Sequence, residues 1–186
     1  MLDRNYVLNQ CQKSNDINEY LMSLYNIPVQ MDAKVLVELG AGESTFALTA
    51  AANKTGGEFY SIDIGKGAIE RFSPNKLSEV DNEPRFHFIQ SDDLFAGKAW
   101  DKPIDFLFID SDHTYDHVRQ VLKIWPKWVK KRGIMTMHDT NHEAGDGMGC
   151  RQALEEWLAE PTTTDLWRAF HLLDTKILGM TILFKV

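Results

Sequence analysis

The sequence predicts an α/β fold: a doubly wound sheet of about seven strands, mostly parallel and closed by an antiparallel C-terminal hairpin. Three observations predict it. A short apolar run, Val35–Leu39, ends in Gly40-Ala41-Gly42 and passes into an Ala-rich stretch (Ala47–Ala52) with helical composition. Extended apolar segments then alternate with amphipathic ones along the chain. One of them, Ile104–Asp110 (IDFLFID), is almost wholly apolar, as a strand buried on both faces should be.

Residues 1–30 are polar with one helical stripe, Tyr20, Leu21, Leu24 and Tyr25, which Pro28 is expected to stop. Lys34–Leu39 reads as the first strand and Glu58–Ile64 (EFYSIDI) as the second. Lys66–Pro84 is polar and irregular, with one helix expected around Ala68–Phe72. Arg85–Gln90 (RFHFIQ) is the third strand and Ile104–Asp110 the fourth. Thr114–Val129 follows as a helix with the stripe Val118, Val121, Leu122, Trp125 and Val129, interrupted at Pro126 and ended by Gly133. Ile134–His138 is the fifth strand. Asn141–Cys150 carries three glycines and reads as a loop, and Arg151–Ala159 as a helix. Phe170–Leu173 and Gly179–Val186 are the closing strands; the short connection Asp174–Leu178 makes them an antiparallel hairpin. Trp125, Trp128 and Trp157 follow helical spacing and read as packing residues.

At 186 residues the chain has the length of one domain, and 44% hydrophobic with 25% charged residues is ordinary for a globular protein. The net charge of −7 would repel a phosphate-rich partner, which argues against nucleic acid. The one basic cluster, Lys127–Arg132, is expected at a helix C-terminus, where cations suit the dipole. Cys11 and Cys150 form no CxxC pair and no disulfide framework, which suits a reducing cytoplasm. No cationic apolar leader and no long apolar span is present, so neither a signal peptide nor a membrane partner is expected. A homo-oligomer is left open.

Ligands of open α/β sheets bind beyond the carboxyl ends of the strands, and here those ends are polar in a regular way. Glu38-Leu39-Gly40 follows the first strand, Asp63 the second and Ser91-Asp92-Asp93 the third. The fourth ends in Asp110-Ser111-Asp112-His113 and the fifth in His138-Asp139. Asp63 lies 23 residues after Gly40, the spacing at which a carboxylate reaches a ribose hydroxyl pair in nucleotide-binding βαβ units. A solvated strand end is the plainer alternative. Read as GxGxxG the glycine loop fails at its third position, which is Thr45, and this argues against a nicotinamide-dependent oxidoreductase. A non-catalytic nucleotide-binding module is a third alternative.

Read as ExGxGx(S/T), the stretch is Glu38, Gly40, Gly42 and Ser44, and it resembles the first motif of class I S-adenosylmethionine-dependent methyltransferases. The resemblance implies a Rossmann-like sheet with S-adenosylmethionine as cofactor. Gly40 and Gly42 would line its methionine part, Asp63 its ribose, and Asp92 or Asp93 its adenine, with Glu38 and Ser44 completing the cofactor-binding set. The resemblance covers roughly residues 34–142, the cofactor-binding core; with the length of one domain, the chain is expected to be a single methyltransferase domain over 1–186, with an N-terminal helical cap (1–30) and a C-terminal helix with closing strands (151–186).

Phe106–Thr140 extends the resemblance to metal-dependent small-molecule O-methyltransferases, the catechol-type enzymes and their sugar- and antibiotic-tailoring relatives. That implies a divalent cation, Mg²⁺ or Mn²⁺, on Asp110 and Asp139, with His113 as catalytic base and a small hydroxylated molecule as acceptor. The chemistry agrees: a hard cation chelates substrate oxygens and lowers a hydroxyl pKa, and an imidazole can take the proton. His138 stands where related sequences often carry an acid. It can be a ligand for a softer metal, a substrate contact or a structural histidine. Asp112 or Thr114 is expected to cap the helix that follows, and His117 to face solvent. His87, between Phe86 and Phe88, is expected on the sheet surface.

Overall fold

The computed structural model describes residues 1–13, 17–66, 80–141, 148–172 and 178–186. The helix expected around Ala68–Phe72, most of the loop Asn141–Cys150 and nearly all of the connection Asp174–Leu178 lie outside the described residues. The chain divides into two units, Met1–Asp92 and Asp93–Val186.

The first unit begins with α1 (Arg4–Gln10), capped by the Asp3 carboxylate, which accepts the Tyr6 amide at 3.0 Å. A 3₁₀ turn, Asn18–Tyr20, leads into α2 (Leu21–Gln30), whose buried face is Leu21, Leu24, Tyr25 and Pro28. Here the sequence expectation is corrected: Pro28 does not stop the helix but sits inside its last turn. There the missing N–H removes a single helical bond, and the chain leaves only at Asp32, with φ 53°. β1 (Val35–Leu39) follows, then α3 (Ser44–Thr55), in which every residue from Ser44 to Ala52 is buried. Its mostly small side chains allow burial on all sides. β2 (Glu58–Asp63) pairs parallel with β1 and with β3 (Phe86–Gln90). The registers Leu39↔Ile62 and Asp63↔Gln90 bring the three carboxyl ends to one edge.

The second unit opens with α4 (Asp93–Ala99), then β4 (Ile104–Ile109) and α5 (Tyr115–Ile124). A 3₁₀ turn, Pro126–Trp128, leads to β5 (Val129–His138). The remainder is α6 (Cys150–Ala159), α7 (Pro161–Leu166), β6 (Trp167–Leu172) and β7 (Met180–Lys185). The long helix expected over Thr114–Val129 is therefore shorter. It ends at Ile124, and Pro126 serves as the first residue of the next turn, where its missing N–H costs nothing. β5 in turn starts five residues before the expected Ile134. Its pairing with β4 slips between Ile104↔Val129 and Phe106↔Ile134, with Arg132 at φ 66° in the bulge. Of the basic cluster, Lys127 lies in the last turn of the 3₁₀ segment, while Lys130, Lys131 and Arg132 lie exposed on a strand. Lys130 pairs with Asp105 at 2.7 Å. The short helices α1, α4 and α7 are additions to the expected elements; at six or seven residues, none is long enough to show a hydrophobic period.

The strands follow the order β3-β2-β1-β4-β5-β7-β6 in a seven-stranded sheet, mostly parallel, with β7 antiparallel to both β5 and β6. The expected C-terminal antiparallel pair is present. Trp125 and Trp157 are buried, the latter 5.6 Å from Trp167 ring to ring, as packing residues should be. Among the described residues no helix is long and apolar enough to cross a membrane.

Candidate functional site

The glycine loop of the first unit is built around a buried acid. Glu38, at 0% exposure, accepts the hydroxyls of Ser44 (2.6 Å), Thr45 (2.7 Å) and Ser61 (2.6 Å). Thr45 Oγ1 in turn accepts the Gly42 amide at 3.0 Å. A buried carboxylate needs such donors, because its charge loses water on burial. Gly40 adopts φ 88°, a conformation that a side chain would strain. Around Gly42 a Cβ would meet nothing within 4 Å, so open space borders the loop backbone.

Asp63 closes this loop. Its Oδ2 accepts the Ala41 amide at 2.9 Å and its Oδ1 the Gly65 amide at 2.9 Å. Of the predicted cofactor positions, the structure therefore brings Glu38, Gly40, Gly42, Ser44 and Asp63 into one hydrogen-bonded loop. Thr45 and Ser61 belong to it as well. Thr45 registers in the sequence only as a missing glycine, and Ser61 has no local signal. Asp92, further along, is exposed. Asp93 is 6% exposed and belongs to α4, where Oδ2 accepts Ser111 Oγ at 2.6 Å and His117 Nε2 at 3.0 Å. His117 is thus paired and largely buried rather than solvent-facing as expected, because its partner lies 24 residues upstream. His87 lies on β3 with Nε2 2.6 Å from Glu58 Oε2, on the sheet surface as expected.

In the second unit, β4 and β5 run parallel with Ile109 opposite Met137, so Asp110 and His138 leave adjacent strands side by side. Asp139 follows at φ 58°, a left-handed conformation that Asp tolerates better than most residues. His113 Nε2 lies 2.8 Å from Asp139 Oδ2 and 3.3 Å from Asp110 Oδ1. His138 Nδ1 lies 3.3 Å from the same Asp110 oxygen and 3.4 Å from the same Asp139 oxygen. Two carboxylates are thus bridged by two imidazoles. Asp112 Oδ1 accepts the Thr114 amide at 2.8 Å, a turn just ahead of α5; neither Asp112 nor Thr114 makes the side-chain cap bond to the helix that was expected of one of them. The His113 carbonyl is tied down by the Gly149 amide at 2.8 Å and by the thiol of Cys150, which starts α6.

Burial alone would lower both histidine pKa values. Hydrogen bonds and charge from Asp110 and Asp139 outweigh it, raising His113 to about 10 and His138 to about 9. Burial would raise both acids, yet the two imidazoles hold Asp110 and Asp139 below the usual carboxylate range. At neutral pH the cluster is therefore two carboxylates and two imidazoliums. Burial, with the nearby charges of Asp139 and Asp110, pushes the Cys150 thiol up to about 12.

Asp110, His113 and Asp139 each offer a ligand atom within 4.8 Å of the others, and Asp139 Oδ1 is buried without a hydrogen-bond partner. The two carboxylate oxygens are hard donors that fit a divalent cation such as Mg²⁺ or Mn²⁺, with an imidazole nitrogen close by. The histidine in this grouping is His113; His138 stands beside it.

A sequence-family profile described as a methyltransferase domain matches residues 37–140. The chain belongs to the methyltransferase-domain family. It is therefore an S-adenosylmethionine-dependent methyltransferase, as the glycine loop led us to expect. Solved structures share the fold of this methyltransferase. An O-methyltransferase from Bacillus cereus in complex with S-adenosylhomocysteine is 14% identical with TM-score 0.71, over 98% of this chain and 87% of that one. TomG, an O-methyltransferase of Streptomyces achromogenes involved in tomaymycin synthesis, is 14% identical with TM-score 0.68, over 91% and 80%. A protein of Clostridium thermocellum described provisionally as an rRNA methylase is 14% identical with TM-score 0.66, over 94% and 100%. At these identities the likeness is one of fold.

Proposed function

We propose that the enzyme methylates a hydroxyl oxygen of a small molecule with the help of a divalent cation. The observation that carries this is the cluster of Asp110, Asp139 and His113 at the ends of adjacent parallel strands. Gly40 and Gly42 would face the methionine part of S-adenosylmethionine, Asp63 its ribose and Asp92 its adenine, the chain working as one methyltransferase domain. Glu38, Ser44 and Thr45 would shape the loop rather than touch the cofactor, since their oxygens hold one another. Transfer forms one C–O bond, breaks one C–S bond and releases the hydroxyl proton.

Asp110 and Asp139 would hold the cation, which lowers the pKa of a chelated hydroxyl and fixes its orientation. His113 Nε2 would take the proton; with Asp110 and Asp139 engaged by a cation, that imidazole would lose the carboxylates that otherwise favour its protonated form. Most of the acceleration would come from positioning. The net charge of −7 favours a small acceptor over nucleic acid, and two free cysteines suit the cytoplasm.

The test is a thermal-shift series with S-adenosylmethionine, S-adenosylhomocysteine and NADH, each with Mg²⁺, Mn²⁺ or chelator. Ligand at a hundredfold excess over Kd should add roughly 2.7 kcal/mol of stability. The adenosyl ligands should stabilise, and Mn²⁺ should add to them. Stabilisation by NADH alone would sink the reading.

A further inference from the structure

Asp110 and His113 sit on the turn between β4 and α5, and such a turn needs something to fix it. The Asp93 carboxylate does so from α4. Its Oδ2 accepts Ser111 Oγ at 2.6 Å, from the residue directly after Asp110, and His117 Nε2 at 3.0 Å, from the first turn of α5. One carboxylate oxygen thus ties both ends of the turn.

Asp93 is itself anchored. Its main-chain oxygen accepts the indole N–H of Trp125 at 3.1 Å, and Trp125 is fully buried. One helical turn on, the Gly97 carbonyl accepts Trp128 Nε1 at 2.9 Å. Gly97 lets α4 approach this closely, because a Cβ there would lie 2.7 Å from both Ile124 and Trp125. Asp93 Oδ1 is buried with no hydrogen-bond partner, which a solvated helix-capping acid would not show.

We infer that Asp93, Ser111 and His117 are positioning residues for the Asp110–His113–Asp139 site. They set where the Asp110 carboxylate and the His113 imidazole stand, acting through the turn. The inference rests on the cation reading above only for its metal consequence. Outer groups that orient ligands typically change metal affinity by about 10- to 100-fold when removed. The rival role for Asp93 is the adenine contact expected from the sequence.

The test uses the full chain with Ser111→Ala, His117→Phe, Asp93→Asn and Asp93→Ala. Mn²⁺ alone is titrated by calorimetry, S-adenosylhomocysteine separately, and the imidazole resonances are recorded in chelator. Each variant should weaken Mn²⁺ by about tenfold or more. Asp93→Asn should lose less than Asp93→Ala, because its amide oxygen can stand where Oδ2 does and still accept both donors, without the charge. The His113 resonances should move while those of His171, on β6, stay. Wild-type Mn²⁺ affinity with unmoved His113 resonances in folded Ser111→Ala and His117→Phe overturns the inference. Loss of S-adenosylhomocysteine alone in Asp93→Ala does the same. If the wild type binds no Mn²⁺, the cation reading fails by itself, and the His113 resonances still decide this one.

Discussion

Asp139 turns through a left-handed backbone conformation, φ 58°, and sets its Oδ2 2.8 Å from Nε2 of His113. An acid whose main chain is bent to present it, and whose second oxygen is buried without a partner, is suited to binding rather than to capping.

Asp139→Asn tolerates the same backbone conformation, so it removes charge while keeping the turn. It should lower Mn²⁺-dependent kcat/KM by about 100-fold, equivalent to roughly 2.7 kcal/mol. Affinity for S-adenosylhomocysteine should stay within about twofold, since no cofactor role falls to Asp139. Steady-state rates with and without chelator check this, and wild-type activity that ignores chelator refutes it.

Glu38 is the buried anchor of the glycine loop, and an amide is no conservative replacement, because its NH₂ would face hydroxyl donors. Glu38→Ala should cost about 2–5 kcal/mol by leaving three hydroxyls without their acceptor. Urea unfolding measures it; a loss below about 1 kcal/mol would mean that the hydroxyls find other partners.

The cation-free protein should lose stability in alkali. His113 and His138 have folded pKa values raised to about 10 and about 9. Their contribution is fully present below the unfolded histidine value and disappears as pH rises through 9 to 10. Melting temperatures in chelator from pH 6 to 10.5 test this. The slope above pH 8 should flatten in His113→Gln, which separates the imidazoles from lysine and tyrosine titration.

Gly97→Ala places a methyl 2.7 Å from Ile124 and Trp125, so one helix must yield. A loss of about 1–3 kcal/mol is expected from this overpacking. Thermal unfolding decides it, and an unchanged Tm would show that α4 can shift without consequence.

The strands were legible because their signal is local. Ile104–Ile109 is apolar but for Asp105, and the acids at strand ends sit where parallel strands must deliver them. The prolines were harder. Pro28 and Pro126 look alike in sequence, but one lies in a last turn with little left to lose and the other opens a new turn. Partnerships across long separations left no trace: nothing near His117 announces Asp93, and nothing near Glu38 announces Ser61, which lies 23 residues on. Even so, Asp110, His113 and Asp139 do lie together: the strand ends set them on one edge, and the resemblance to metal-dependent O-methyltransferases singled them out.

The chain has two cysteines, and the structure silences one of them. Burial pushes the thiol of Cys150, at the start of α6, up to about 12, while the thiol of Cys11, half-buried at the end of α1, is raised less far. Only the thiolate reacts with maleimides. A fluorophore or spin label applied at neutral pH should therefore report from the N-terminal segment alone. The native sequence already carries a single-site probe, with no cysteine to remove.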